Sequence, residues 1–212
     1  MYDSTVRLDL VGPAGRIEAL YEEPPTARFA TLVLHPHPLY GGTMHNHATY
    51  QIAKAARSVG GATLRVNFRG VGLSAGSHSG GSGEVEDARA ALAWLRGRHP
   101  GLPLLASGMS FGAWAALRAG CASPEVAGVL AAGMAIRSLP LDFVRGCEKP
   151  VAAVQAEADE FGAPAEVRAL LDDPARRRRL WVVDGATHLF LEDLPALHRA
   201  AAAGFAWLLG EA

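Results

Sequence analysis

Residues 102–120 read LPLLASGMSFGAWAALRAG. The apolar run Leu102 to Ala106 leads into Gly108-Met109-Ser110-Phe111-Gly112, and Ala113, Trp114, Ala115, Ala116 and Leu117 then make a good helix-forming segment. Glycines on either side of a serine permit a tight, strained turn where side chains would collide, and such a turn lifts the hydroxyl clear of the backbone. The stretch therefore predicts a strand, a sharp turn and a helix, with Ser110 at the apex as a candidate nucleophile.

Outward from this unit, Thr31 to Leu34, Ala62 to Phe68, Val126 to Ala132, Val151 to Val154 and Leu180 to Val183 are short apolar runs of the kind found in strands buried on both faces. Between them, apolar residues recur at helical spacing over Thr49 to Val59, Val85 to Arg98, Ala113 to Ala119, Ala165 to Leu171 and Leu194 to Leu209. Such alternation implies right-handed crossovers and an α/β fold, a mostly parallel central sheet with helices on both faces. At the N-terminus, Val6 to Leu10 and Arg16 to Tyr21 alternate apolar and polar residues around Gly12-Pro13-Ala14-Gly15, the pattern of an antiparallel hairpin. Ligands in open α/β sheets bind beyond the carboxyl ends of the strands, so the loops after residues 35, 68, 106, 132, 157 and 183 carry the chemistry.

The chain has 212 residues, half of them hydrophobic, and a formal net charge of −1. That length suits one core and a single domain over residues 1–212, and the charge balance offers nucleic acid no basic surface. The cationic run Arg176 to Arg179 directly precedes an apolar stretch and reads as the solvated start of a strand. The first ten residues lack the basic start and apolar core of a secretory signal, and no segment reaches the ~18 apolar residues of a membrane span. A cytoplasmic location without membrane contact is expected. Cys121 and Cys147 are too few for a disulfide framework and are not spaced as a metal knuckle, so both are expected to be passive in a reducing compartment.

The G-x-S-x-G pattern occurs twice, and context separates the two serines. Ser74, in Gly72-Leu73-Ser74-Ala75-Gly76, has no apolar strand directly before it and a Gly/Ser-rich tract, mobile by composition, after it. A serine also needs a base, and on this fold the partners follow in the order acid, then histidine, each after a later strand. Only His188 and His198 lie beyond Ser110. His188 follows Leu180 to Val183 and the turn Asp184-Gly185-Ala186-Thr187, whereas His198 sits inside a helical pattern. The acid belongs after Val151 to Val154, where Glu157, Asp159 and Glu160 compete; Asp159, 29 residues before His188, is preferred.

Acyl transfer further requires two donors aimed at the oxyanion, one being the main-chain N–H after the nucleophile, here Phe111, and the other coming from the loop after the third strand. That loop begins HPHPLYGG at residue 35. Pro36 and Pro38 have no N–H, which makes His37 the preferred donor in a stiff frame, with Leu39 and Tyr40 as rivals or as substrate-binding side chains. The pairs His35/His37 and His45/His47 raise the question of zinc. No acidic residue or cysteine lies between Leu32 and Arg65, and the prolines spoil the regular strand that would align each pair, so no metal and no cofactor are expected. His45 and His47 read as polar residues at a helix start near the cleft rim.

Together these blocks resemble the α/β-hydrolase superfamily, and most of all its small cap-less bacterial hydrolases, which carry HPHP-(L/H)-(Y/F)-GGTM, NFRGVG-x-S-x-G, GEVEDA and G-x-S-F-G. Here the blocks are His35 to Met44, Asn67 to Gly76, Gly83 to Ala88 and Gly108 to Gly112. The resemblance implies Ser110, Asp159 and His188 as a catalytic triad, Gly72 to Gly76 as a structural loop, and Arg69 as a brace for the backbone. Only Gly133 to Pro150 is available where relatives insert a helical cap, so an open cleft is expected. The activity implied is a serine hydrolase that takes a small-molecule carboxylic ester or thioester through an acyl-enzyme. A non-catalytic binding protein on the same fold, or a peptidase or amidase, is the alternative.

Overall fold

The alternation folds as one mixed sheet with helices on both sides in a computed structural model that describes residues 5–211. The strands are Val6–Gly12 (β1), Gly15–Glu22 (β2), Phe29–Leu34 (β3), Gly61–Val66 (β4), Leu104–Met109 (β5), Val126–Ala132 (β6), Val151–Ala156 (β7) and Arg178–Val183 (β8). The helices are His47–Ser58 (α1), Ser82–Arg98 (α2), Phe111–Ala122 (α3), Pro164–Leu171 (α4) and Leu194–Leu208 (α5), with short 3-10 turns at Pro38–Tyr40 and Asp142–Gly146. The sheet order is β1-β2-β4-β3-β5-β6-β7-β8. β1 and β2 form the antiparallel hairpin, β2 joins β4 antiparallel, and every pairing from β3 onward is parallel.

Side chains of successive strand residues point to opposite faces, so a sheet covered on both sides needs two apolar layers. Ala30, Leu32 and Leu34 of β3 pack under α2 and α3, while Phe29 and Val33 pack under α1 and α5. Phe29 meets Phe205 of α5 with ring centroids 5.6 Å apart. Full burial of each such side chain contributes about 1.5–3 kcal/mol against the cost of ordering it.

Three expectations need correction. Leu180 to Val183 does not sit buried on both faces: β8 is the last strand of the sheet, pairs only with β7, and leaves Leu180, Trp181 and Val182 half-buried. Cys121 and Cys147 are not passive, because they form a disulfide between the end of α3 and the turn before β7, with Cα atoms 5.3 Å apart. Nothing in a separation of 26 residues announces that pair; packing of the 133–150 segment against α3 creates it. The Gly/Ser tract is pinned: the buried Glu84 carboxylate accepts from the Ser79 N–H, the Ser79 hydroxyl and the Gly81 N–H, at 2.8–3.0 Å. Among the described residues no helix is long and apolar enough to cross a membrane.

Candidate active site

Ser110 follows β5 after one step and caps α3 with φ 56°, ψ −118°, a region that costs a non-glycine residue about 1–3 kcal/mol. The flanking glycines make room for this turn. A Cβ on Gly108 would lie 2.3 Å from the Gly112 carbonyl oxygen, and one on Gly112 would lie 2.4 Å from the Leu34 carbonyl oxygen. The Ser110 N–H is tied to the Ala132 carbonyl at 2.8 Å, while its hydroxyl makes no capping bond to α3. That hydroxyl instead lies 2.8 Å from His188 Nε2.

His188 stands on the loop after β8, and its Nδ1 is 2.9 Å from both carboxylate oxygens of Asp159. Asp159 is buried and receives two further donors, the Phe161 N–H at 2.9 Å and Gln155 Nε2 at 2.8 Å. The rival carboxylates have other partners: Glu157 accepts the Gly185 N–H at 2.7 Å, and Glu160 lies 3.4 Å from the His188 main-chain nitrogen. Thr187 donates its N–H and hydroxyl to Glu192, closing the turn that carries His188. His198 lies half-buried in α5, among cationic Lys54, Arg57 and Arg199.

The loop after β3 wraps over the start of α3. Its first histidine, His35, is buried and uses both ring nitrogens, Nδ1 donating to the Pro36 carbonyl at 2.6 Å and Nε2 accepting the Phe68 N–H at 3.1 Å. Burial pushes its pKa down to about 4, so it is a neutral structural post. In the same loop the Leu39 N–H donates to His37 Nδ1 at 3.2 Å and the Tyr40 N–H to the His37 carbonyl at 3.1 Å. Both rival donors are thus spent inside the loop. Among the described residues, the His37 and Phe111 N–H groups have no such acceptor. The His37 ring packs on Phe111 at 4.8 Å and on His78 at 5.0 Å, and burial, then the His78 charge, lowers its pKa. Leu39 and Tyr40 are exposed beside it.

The second G-x-S-x-G does not reach this constellation. Ser74 is buried, donating to the Asn67 carbonyl at 2.7 Å and accepting the Glu18 N–H at 2.9 Å. Arg69 binds Asp87 through its main-chain N–H, Nε and NH2 at 2.7–3.0 Å, which fastens the loop after β4 to α2. His45 and His47 are exposed at the start of α1, whose cap is the Asn46 side chain. Among the described residues no three His, Cys, Asp or Glu side chains gather as a metal-ligand set. Sequence reasoning missed Gln155, since a buried amide inside an apolar strand carries no signal until its partners are known.

No family model matches the chain. It is 37% identical over 190 residues to the uncharacterized protein RP471 of Rickettsia prowazekii, covering 84% of this chain and 79% of that one. Among solved structures, an alpha-beta serine hydrolase homologue from Coxiella burnetii is 30% identical with a TM-score of 0.88, over 96% of this chain and 99% of that one. XC6422 from Xanthomonas campestris, described as an a/b serine hydrolase without lid, is 30% identical with a TM-score of 0.86, over 95% and 93%. With the same sheet and only residues 133–150 where a cap would stand, the chain belongs to the cap-less serine hydrolases of the α/β-hydrolase superfamily.

Proposed function

We propose that the chain is a cofactor-independent serine hydrolase of carboxylic esters or thioesters, with Ser110 as nucleophile, His188 as base and Asp159 as its orienting acid. The observation that carries this reading is the unbroken line from the Ser110 hydroxyl through both nitrogens of His188 to Asp159, with steps of 2.8 and 2.9 Å. In acylation, Ser110 Oγ attacks the carbonyl carbon as His188 Nε2 takes its proton. Asp159 fixes the tautomer and stabilises the imidazolium. The carbonyl oxygen, now negative, accepts from the Phe111 and His37 N–H groups, and the N-terminus of α3 adds its positive dipole end. Collapse breaks the bond to the leaving group, which receives the proton from His188, and water then releases the acid by the same route.

A fluorophosphonate probe tests the reading. One adduct per chain is expected at Ser110, absent in Ser110→Ala and retained in Ser74→Ala and after chelation. Folded protein that takes up no probe would instead be a non-catalytic member of the fold. Amides and peptides stand behind esters, since an amine leaves only with a better-placed acid.

A further inference from the structure

Resting on the hydrolase reading, the chemistry orients the substrate. His188 Nε2 must hand its proton to the departing oxygen, so the leaving group passes the His188 edge of the cleft. Residues 157–163 after β7 and 184–193 after β8 build that edge. Three large apolar side chains stand exposed on it, Phe161 at 39%, Leu189 at 37% and Leu191 at 57%.

Their exposure is built into the backbone. The Phe161 ring meets the His188 imidazole edge-on, with centroids 4.7 Å apart. Its main chain is held on both sides, the N–H by Asp159 Oδ1 at 2.9 Å and the carbonyl by the Arg137 N–H at 3.0 Å. Leu189 and Leu191 bracket Phe190, which is fully buried with φ 57°. A left-handed residue without glycine's freedom costs about 1–2 kcal/mol. Burial of the Phe190 ring offsets that cost, and the turn leaves both neighbours facing outward.

The same edge is rich in carboxylates. No lysine or arginine occurs from Val151 to Val167 or from Val183 to His198, whereas Glu157, Asp159, Glu160, Asp184, Glu192 and Asp193 all lie there. Two guanidinium groups reach the edge from outside it: Arg137, engaged by Glu166 at 2.8 Å and by the Glu160 carbonyl at 3.1 Å, and Arg199, 4.0 Å from Asp193.

We propose that Phe161, Leu189 and Leu191 select the leaving group, accepting an uncharged apolar alcohol, alkyl or aromatic, and disfavouring a polyanionic thiol such as coenzyme A. In the step concerned, the Ser110 oxygen–acyl bond forms, the acyl–alcohol oxygen bond breaks, and the alcohol leaves with the His188 proton.

Two ester series separate the edges of the cleft: acetates of ethanol, butanol, hexanol and benzyl alcohol, and ethyl esters of acids of increasing length, with acetyl-CoA as the charged comparison. Wild type, Phe161→Ser and Leu191→Lys are compared after active-site titration with fluorophosphonate. In wild type, kcat/KM is expected to rise about tenfold or more from ethyl to hexyl or benzyl acetate. Both variants should flatten that rise while keeping the wild-type slope of the acyl series, and acetyl-CoA should be the poorest acetyl donor, with Leu191→Lys narrowing its deficit. A flat alcohol series in labelled wild type, a preference for acetyl-CoA, or equal flattening of both series overturns the proposal and leaves the hydrolase reading intact. Protein that neither labels nor cleaves any ester removes both.

Discussion

The Ser74 hydroxyl donates to the Asn67 carbonyl at 2.7 Å, and the Glu18 N–H occupies its acceptor side at 2.9 Å. Its chemistry is spent on holding the loop after β4 to β2. Ser74→Ala is therefore expected to lose about 1–3 kcal/mol of stability by removing both the buried bond to the Asn67 carbonyl and the acceptor of the part-buried Glu18 N–H, with ester hydrolysis per labelled site unchanged. Ser110→Ala should do the reverse, abolishing labelling and turnover with little change in urea midpoint. Loss of labelling in Ser74→Ala would contradict the assignment.

In the proposed mechanism Gln155 acts through Asp159, to which it is hydrogen-bonded. Its Nε2 donates to Asp159 Oδ2 at 2.8 Å and to the Gly162 carbonyl at 2.7 Å, and its Oε1 accepts the Met134 N–H at 2.8 Å. Gln155→Leu should lower kcat about tenfold with KM little changed, because the carboxylate that orients His188 loses a fixed partner. Asp159→Asn should cost about 10⁴ in kcat by favouring the wrong imidazole tautomer. Steady-state kinetics and pH–rate profiles distinguish the two.

Gly42 lets the loop after β3 close on itself. A Cβ there would sit 2.1 Å from the Pro36 carbonyl oxygen and 2.8 Å from that of His37, so Gly42→Ala must push the His37 backbone away. A displacement near 1 Å of the proposed oxyanion donor His37 is expected to reduce kcat about 10²-fold while the circular dichroism spectrum stays native. Unchanged kcat in a folded variant would remove His37 as the second donor.

The Cys121–Cys147 bond closes a loop with a separation of 26 residues and fastens the 133–150 segment to α3. Chain entropy alone gives such a bridge about 3 kcal/mol. The paired variant Cys121→Ala, Cys147→Ala should unfold at lower denaturant by that amount, and unfolded, non-reduced wild type should show no titratable thiol.

His35 makes stability depend on pH. Its folded pKa of about 4 lies below the 6.5 of an exposed histidine, so the unfolded chain binds the extra proton first as the pH drops. This contribution is fully present above about pH 6.5 and is lost progressively toward pH 4, to a total of about 3 kcal/mol. His37, His99 and His198 are shifted in the same direction, so the diagnostic is the difference between proteins. His35→Gln should be less stable than wild type at pH 7.5 and show a shallower loss between pH 6.5 and 5, above the carboxylate range, in urea titrations.

The strand-turn-helix around Ser110 was legible in sequence because its causes are local: an apolar run, two glycines that must be small, and a helix-forming segment directly after. Strand and helix alternation likewise exposed the parallel sheet, and with it the loops that hold His188 and the three competing carboxylates. Which carboxylate faces the imidazole was a different matter. Glu157, Asp159 and Glu160 lie within four residues, and the packing of the turn after β7 against the turn after β8 alone turns Asp159 toward Nδ1 and Glu157 toward Gly185. The disulfide, the Gln155 brace, the half-exposed edge at β8 and the outward leucines beside Phe190 share that origin. Each depends on contacts between segments far apart in the chain. Sequence by itself determined the fold and the chemistry on offer, since periodicity and glycine placement are local physics; tertiary structure decided partnership and exposure, because those are distances between loops that only the closed sheet brings together.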